Sequence, residues 1–260
     1  MDLNLKDKVA IVTGGSRGLG RAICQGLAAE GAKVAINYLR DEEAGIDLGD
    51  EAAELAGQLR SDYSVDAVPI AGDVSQISDV DRLFVEAERQ LGPVEILVNN
   101  AGIWPTALAH EIAKSEFDRV LEINLVGPFL TCKEAVRRWL DSGCQGRIVN
   151  ITSPAAFQGS TTGHAHYAAS KAGLVSFSVS LAREVAPQGI RVNLVAPGMT
   201  RTPMAREALK KGEQHYIDRI PLRRIAEPQD IANVVVFLAS DCAAYMTGAT
   251  VDVTGGMLMR

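Results

Sequence analysis

The chain has 260 residues, of which 47% are hydrophobic and 22% are charged, and it carries a net charge of −6. This composition leaves room for a sizeable core and excludes a disordered or fibrous chain. The acidic balance, with Lys and Arg scattered along the chain, argues against nucleic-acid binding, which needs clustered basic residues.

Short apolar runs rich in Val and Ile alternate with longer amphipathic segments along the whole chain. The apolar runs are nearly continuous, which is typical of parallel strands covered on both faces. They predict strands at Val9–Val12, Lys33–Asn37, Ala67–Ile70, Ile96–Val98, Arg147–Ile151, Arg191–Val195 and Thr250–Val253.

The segments between these strands have helical periodicity. Alternation of strand and helix indicates βαβ crossovers. We therefore predict the α/β class: one domain over residues 1–260, a Rossmann-type doubly wound parallel sheet of about seven strands with helices on both faces. The predicted helices are Leu19–Glu30, Asp50–Arg60, Ser78–Leu91, Ser115–Leu140, Tyr167–Ala186 and Pro228–Ala239.

Two segments interrupt this alternation. Residues 39–49 form a polar loop after the second predicted strand, and residues 199–227 form a long excursion after the sixth. Ligands of open α/β sheets bind outside the carboxyl ends of the strands. The longer segment is therefore a candidate lid.

A glycine-rich turn, TGGSRGLG at residues 13–20, joins the first strand to the first helix. Glycines permit a tight turn and let backbone amides approach a pyrophosphate, and the helix N-terminus adds partial positive charge. The spacing of Gly14, Gly18 and Gly20 differs from GxGxxG. Taken alone, the turn is also compatible with an ordinary strand–helix connection.

The turn and the motifs that follow it in order resemble the short-chain dehydrogenase/reductase family. These motifs are Asp73-Val74, residues 99–102 (NNAG), Asn124, Ser153, residues 167–171 (YAASK) and Pro197-Gly198. The resemblance covers essentially the whole chain and implies a nicotinamide dinucleotide cofactor. The residues expected to bind it are Gly14, Ser16, Arg17, Gly18, Leu19, Gly20, Arg40, Asp73, Val74, Asn100, Ala101, Gly102, Tyr167, Lys171, Pro197, Gly198, Thr200 and Thr202.

Tyr167 and Lys171 lie four residues apart in a predicted helix and so share one face. A free Tyr titrates near ~10, and a nearby ammonium favours the phenolate. We therefore expect Lys171, together with the positive nicotinamide of the oxidised cofactor, to lower the pKa of Tyr167, which exchanges a proton with the substrate oxygen. By the resemblance, Ser153 orients that oxygen through a hydrogen bond and Asn124 holds Lys171 through a water molecule.

Other polar residues favour no second chemistry. Ser153 and Tyr167 are fourteen positions apart, where the family commonly has thirteen, so the loop between them is expected to reshape the substrate pocket. His164 and His166 lack a third convergent ligand, which predicts pocket-edge or surface histidines and no metal.

With no signal segment, no membrane span and no CxxC pair, the chain is expected to be cytoplasmic.

The predicted reaction is hydride transfer between the cofactor and a ketone or secondary alcohol. The overall pattern most resembles 3-oxoacyl-(acyl-carrier-protein) reductases, with sugar or polyol dehydrogenases of the same family as the alternative. The substrate is thus a small carbonyl or alcohol compound, free or carrier-bound. A non-catalytic dinucleotide sensor is the alternative from another class, and it should lack Tyr or Lys at the positions of Tyr167 and Lys171.

NADP(H) is expected in preference to NAD(H). NAD-selective relatives place an acidic residue at the end of the second strand, where this chain has Tyr38. Arg17 and Arg40 offer guanidinium donors that suit a phosphate. The acidic residues among 41–51, Glu42 and Glu43 included, are interpreted as a solvated loop and helix start.

The apolar excess of Pro228–Ala239 predicts a homotetramer.

Overall fold

The computed structural model describes residues 2–41, 45–160 and 163–259. Its strands are β1 Val9–Val12, β2 Lys33–Tyr38, β3 Arg40–Asp41, β4 Ile46–Asp47, β5 Ala67–Ala71, β6 Val94–Asn99, β7 Arg147–Ile151, β8 Arg191–Pro197 and β9 Thr250–Val253. Its α-helices are α1 Gly18–Ala29, α2 Gly49–Tyr63, α3 Ile77–Leu91, α4 Lys114–Leu121, α5 Gly127–Ser142, α6 Ala155–Gln158, α7 Ala165–Val185, α8 Arg206–Arg219 and α9 Pro228–Ala239.

The main sheet has seven strands in the order β5-β2-β1-β6-β7-β8-β9, and every neighbouring pair is parallel. The predicted α/β doubly wound sheet is confirmed. The strand order reverses between β1 and β6, so their connecting helices leave toward opposite faces. This reversal opens a crevice at the carboxyl ends of the strands, which is the general ligand-binding place of such sheets.

Apolar side chains cover both faces of the sheet. One layer packs α1, α2 and α9 against it, with Leu27 and Ile231 fully buried. The other packs α3, α5 and α7, with Phe84 and Trp139 among the buried side chains. This two-sided burial explains why the strands are apolar almost throughout. None of the helices in the described ranges is long and apolar enough to cross a membrane, and the cytoplasmic location stays a prediction.

The predicted helix Ser115–Leu140 is more complex than its periodicity indicates. It begins at Lys114 and ends at Ser142, and a π-helical turn, Glu122–Val126, separates α4 from α5. Pro128 follows at the start of α5, where its missing N–H is tolerated. Isolated π turns occur mostly as insertions within α-helices and often at functional sites.

Residues 199–227 contain a helix that the sequence analysis did not predict. Helix α8 is mostly polar and is interrupted at Gly212, so it lacks a clear apolar stripe. The segment is ordered by a small cluster of its own, in which Leu209, Ile220 and Ile225 are buried beside Met257. The expected lid is therefore a packed helical segment in this structure.

Candidate active site

A cavity of about 790 Å³ lies at the carboxyl ends of the strands, beside the reversal of strand order. It brings together most residues that the sequence analysis selected. Arg40 and Asn124 do not line it. The predicted residues that do are Gly14, Ser16, Arg17, Gly18, Leu19, Gly20, Asp73, Val74, Asn100, Ala101, Gly102, Ser153, Tyr167, Lys171, Pro197, Gly198, Thr200 and Thr202.

The glycine turn is shaped to hold an anion close to the main chain. Gly14 and Gly18 have φ of +60° and +55°, and a Cβ on Gly20 would lie 2.1 Å from the carbonyl oxygen of Gly14. Helix α1 begins at Gly18, so the free N–H groups of its first turn lie at the cavity. The Ser16 hydroxyl is buried without a hydrogen-bond partner in the described chain. These features fit a dinucleotide phosphate.

Polar side chains from neighbouring strands brace this turn. Asn37, at the end of β2, accepts a hydrogen bond from the Gly14 N–H at 3.3 Å and donates to the Gly72 carbonyl at 3.0 Å. Asn100 donates to the carbonyls of Thr13 and Gly14 at 2.9 and 3.0 Å. Asn37 was not among the residues predicted from the sequence. Its signal was a buried amide side chain within an otherwise apolar strand.

Asp73 lies at another end of the cavity and caps its own turn. Its carboxylate accepts hydrogen bonds from the N–H and the hydroxyl of Ser75 at 2.9 and 2.7 Å. The guanidinium of Arg119, on α4, lies 3.4 Å from the other carboxylate oxygen. Arg119 also lines the cavity, and no pattern in the sequence predicted it.

The two arginines expected at the cofactor phosphate have different surroundings. Arg17 is exposed and lines the cavity. Arg40 does not line it: its Nε donates to Asp47 at 3.0 Å and its Nη2 to the Tyr38 hydroxyl at 3.3 Å. Antiparallel pairing of β3 with β4 places Asp47 directly opposite Arg40. The expected place of Arg40 in the cofactor cavity is thus not found, whereas Glu42 and Glu43 lie outside the described residues.

Ser153, Tyr167 and Lys171 meet where β7 ends against α7. The Tyr167 hydroxyl forms a hydrogen bond with Ser153. The Lys171 ammonium lies over the Tyr167 ring, 5.8 Å from its centroid, and donates to the Ile151 carbonyl at 2.8 Å. The Thr152 hydroxyl donates to the Lys171 carbonyl at 3.1 Å. The chain therefore fixes both the side chain and the backbone of Lys171.

The ionisation of this pair differs from the expectation. Burial lowers the pKa of Lys171 to about 8. Burial also raises the pKa of Tyr167, against a smaller opposite effect of the hydrogen bond with Ser153. The expected net lowering of the Tyr167 pKa is not found in the protein without cofactor, because desolvation by burial is the dominant effect. A raised pKa keeps Tyr167 protonated at neutral pH, as a proton donor to a carbonyl must be.

Asn124, in the π turn, is buried and holds two parts of the site together. Its side chain exchanges two hydrogen bonds with the backbone of Ile103, at 2.9 and 3.0 Å. It also donates to the hydroxyl of Ser170 at 3.2 Å, and that hydroxyl donates to the Tyr167 carbonyl at 2.7 Å. The expected link from Asn124 to Lys171 through water stays a prediction.

His164 and His166 are buried, with exposed fractions of 6% and 0%, so the expectation of pocket-edge or surface residues is wrong. His164 stacks on Trp104 and bonds through Nδ1 to the Pro105 carbonyl at 2.8 Å. His166 Nε2 lies 3.0 Å from Glu116 Oε1. Within residues 2–41, 45–160 and 163–259, no three His, Cys, Asp or Glu side chains are grouped to hold a metal ion.

The wall of the cavity beyond Ser153 and Tyr167 is largely apolar. It is formed by the loop after β6, by the segment around α6, and by the segment that carries α8. Such a surface suits a hydrocarbon better than a chain of hydroxyl groups. Its apolar members include Ile103, Trp104, Pro154, Ala155, Met199, Met204, Tyr216 and Met257. The same segments add fewer polar side chains, among them Gln158, Ser160 and Arg219.

Comparison with known proteins gives one consistent family. Residues 14–258 match the family model described as enoyl-(acyl carrier protein) reductase. The chain is 37% identical over 257 residues to 3-oxoacyl-(acyl-carrier-protein) reductase FabG of Aquifex aeolicus (strain VF5), covering 99% of this chain and 100% of that protein. It is 41% identical over 258 residues to the protein of that name from Escherichia coli (strain K12), with the same coverage.

Solved structures agree with the curated relatives. A short-chain type dehydrogenase/reductase from Mycobacterium marinum superposes with a TM-score of 0.91 at 31% identity, covering 100% of this chain and 98% of the other. A candidate gluconate dehydrogenase from Agrobacterium tumefaciens gives a TM-score of 0.91 at 33% identity, covering 100% and 99%. The whole chain thus has counterparts in both comparisons.

Proposed function

Because the chain belongs to the short-chain dehydrogenase/reductase family and is an NAD(P)-dependent oxidoreductase of keto and CH–OH groups, we propose that it reduces 3-oxoacyl thioesters with NADPH. The observation that carries this choice is the apolar wall next to Ser153 and Tyr167. A 3-oxoacyl thioester presents a ketone between a hydrocarbon chain and a thioester, so this wall can cover its apolar part. The full-length similarity to two 3-oxoacyl-(acyl-carrier-protein) reductases supports the same choice.

The proposed reaction divides between the cofactor and the side chains. NADPH, when bound, supplies the hydride that reduces the ketone carbon. Tyr167 donates its hydroxyl proton to the ketone oxygen as negative charge develops there, which yields the secondary alcohol. Ser153 donates a hydrogen bond to the same oxygen and orients it. The Lys171 ammonium stabilises the tyrosinate that remains until it is reprotonated.

We assign cofactor binding to the main chain of residues 13–20 and to the other predicted residues that line the cavity. The preference for NADPH is assigned to Arg17, because a guanidinium suits a 2′-phosphate. Asp73 is the one acidic residue in the described lining of the cavity, and it is engaged with Ser75 and Arg119. Among the described lining residues, no carboxylate stands at the end of β2, the place that NAD-selective relatives use for the ribose.

Sugar or polyol oxidation is the second candidate, and the similarity to a candidate gluconate dehydrogenase favours it. An absorbance assay at 340 nm decides between the two. We expect acetoacetyl and longer 3-oxoacyl thioesters with NADPH to give kcat/KM at least about 100-fold above gluconate, other polyols and enoyl thioesters. Each polyol hydroxyl left unpaired against an apolar wall costs ~1–3 kcal/mol, and several are present. An enoyl thioester has no ketone oxygen to which Tyr167 can donate its proton. Tyr167→Phe is the control for adventitious turnover. Faster polyol oxidation would contradict the proposal.

We further propose that residues 1–260 act as one catalytic domain and assemble as a homotetramer. Within α9, Ile231, Val235 and Leu238 are buried by the chain itself, whereas Phe237 is 36% exposed. An exposed aromatic side chain beside a buried stripe favours contact with a second copy. Light scattering at micromolar concentration should show a tetramer, and Phe237→Glu should shift it toward smaller species. A monomeric wild-type protein would contradict this assembly.

A further inference from the structure

Trp104 places an aromatic ring beside the residue that handles the proton. Its side chain lines the cavity, and its ring centroid lies 6.3 Å from that of Tyr167 at an interplanar angle of 60°. On another side it stacks on His164, with centroids 4.4 Å apart and planes 21° apart. Trp104 is thus held within an aromatic cluster of three rings, one of which is Tyr167.

The loop that carries Trp104 is fastened on both sides of the ring. Before it, the Asn124 amide holds both backbone polar groups of Ile103. After it, the Pro105 carbonyl bonds to His164 Nδ1, and the Ala107 N–H donates to the Gly163 carbonyl at 2.9 Å. A ring fixed before its ligand arrives loses little rotational freedom on binding. These contacts pre-position the indole.

His164 is suited to this supporting role. Its Nδ1 faces a carbonyl oxygen, which can only accept, so Nδ1 carries the hydrogen. Its side chain is 6% exposed, and burial lowers the pKa of His164. The imidazole is therefore neutral at neutral pH and stacks as one aromatic ring on another. The hydrogen bond from His164 to the Pro105 carbonyl also fixes the position of the loop that carries Trp104.

We propose that Trp104 contacts the substrate and recognises the acyl chain next to the reacting ketone, and that His164 is a positioning residue that acts through Trp104. The chemical class of the substrate rests on the proposed function above. Met199 and Met257 line the same cavity, so the indole is one of several apolar groups on its wall. A polyol against these groups would lose its hydration without gaining hydrogen-bond partners from them.

Steady-state kinetics of Trp104→Ala, His164→Ala and the double variant test the proposal with acetoacetyl and 3-oxooctanoyl thioesters. We expect Trp104→Ala to raise KM for the longer substrate roughly tenfold, as for a truncated Trp anchor, with kcat within about threefold. His164→Ala should raise KM about threefold, because the indole stays but is held less firmly and keeps part of its binding contribution. The double variant should match Trp104→Ala, because His164 acts only through the indole.

Two controls separate substrate recognition from damage to the fold. The dissociation constant of NADPH should stay near that of the wild type in all three variants. Variants that lack His164 should melt a few degrees lower, because the Pro105 carbonyl loses its buried partner, but they should unfold in one cooperative transition. Quenching of tryptophan fluorescence by a 3-hydroxyoctanoyl thioester, with NADP⁺ present, should occur in the wild type and vanish in Trp104→Phe. The chain has two tryptophans, and Trp139 lies in the core, so the lost signal belongs to Trp104.

These measurements distinguish failure of the proposed function from failure of the roles given to Trp104 and His164. If the wild type turns over no 3-oxoacyl thioester, the proposed function and the substrate class assigned here both fall. If it does, an unchanged KM in Trp104→Ala, or a loss confined to kcat, overturns the recognition role alone. Additive effects in the double variant overturn the positioning role of His164, since they mean that it acts independently of Trp104.

Discussion

The proposed cofactor half and substrate half of the cavity are built in different ways. On the cofactor side, the main chain of residues 13–20 forms the surface, and a Cβ on Gly20 would collide with the Gly14 carbonyl. On the substrate side, rings and thioethers from separate loops form it, with Trp104 stacked on His164 sixty positions away. A surface made of backbone tolerates little change, whereas a surface made of side chains can be altered one residue at a time.

The largest expected effect lies where the halves meet. Tyr167→Phe removes the hydroxyl that carries the proton and keeps the ring that packs against Trp104. We expect kcat to fall by ~10²–10⁴-fold, the usual contribution of a general acid–base group, while the dissociation constant of NADPH changes little. Rates at 340 nm and cofactor titration measure the two separately. A variant that keeps more than about a tenth of the wild-type rate would remove Tyr167 from this role.

Gly20→Ala tests how rigid the cofactor side is. The added methyl would lie 2.1 Å from the Gly14 carbonyl oxygen, so the turn must move, and overpacking of this kind costs ~1–3 kcal/mol. We expect a lower melting temperature and NADPH binding weakened at least about tenfold, which corresponds to 1.4 kcal/mol. Gly57→Ala in α2 is the matched control, because its Cβ meets nothing within 4 Å. Equal behaviour of the two variants would contradict the comparison.

The pH profile of the cofactor's kcat/KM tests the buried lysine, since this parameter reports groups of the free enzyme. Burial lowers the pKa of Lys171 to about 8. The ammonium is therefore present below that pH and is lost as the pH rises through it. We expect the reductive rate to fall above about pH 8, and Lys171→Arg to move this limb upward if it retains activity. A wild-type profile flat to pH 10 would show that Lys171 is not the group responsible.

The smallest effects concern Arg17 and Arg40, the two arginines expected at the cofactor phosphate. Arg17→Ala should lower the NADPH-to-NADH ratio of kcat/KM about tenfold, as loss of one charge-assisted contact does. Arg40→Ala should lower it less than about threefold, because Arg40 is engaged in an exposed ion pair with Asp47. Asp47→Asn should release Arg40 and raise the ratio slightly. Equal losses from Arg17→Ala and Arg40→Ala would contradict this ranking.

The sequence predicts the cofactor side better than the substrate side for a physical reason. The glycine turn, the strands and the Tyr167–Lys171 spacing are local patterns, and the structure contains each of them. The pairing of Arg40 with Asp47 depends on the register of a two-residue ladder, which no periodicity reveals. The contact of Trp104 with His164 depends on how two loops meet.

Ionisation is similarly hard to anticipate from residue types. The sequence placed a lysine near Tyr167, and the expected sign followed from charge alone. The structure shows the ammonium bonded to the Ile151 carbonyl and both groups desolvated. Burial opposes the charged form of each, and this effect depends on the depth of the site and cannot be deduced from the spacing of two residues.

The π turn at Glu122–Val126 changes the direction in which the side chains of α5 point relative to those of α4. Successive residues of an α-helix are rotated by about 100°, so one inserted residue turns everything that follows by that angle. Asn124 can therefore face Ile103 and Ser170 while α5 still buries Trp139 against the sheet. Deleting one residue here would force a choice between these two orientations, so the extra residue lets one continuous helix serve both the reaction centre and the core.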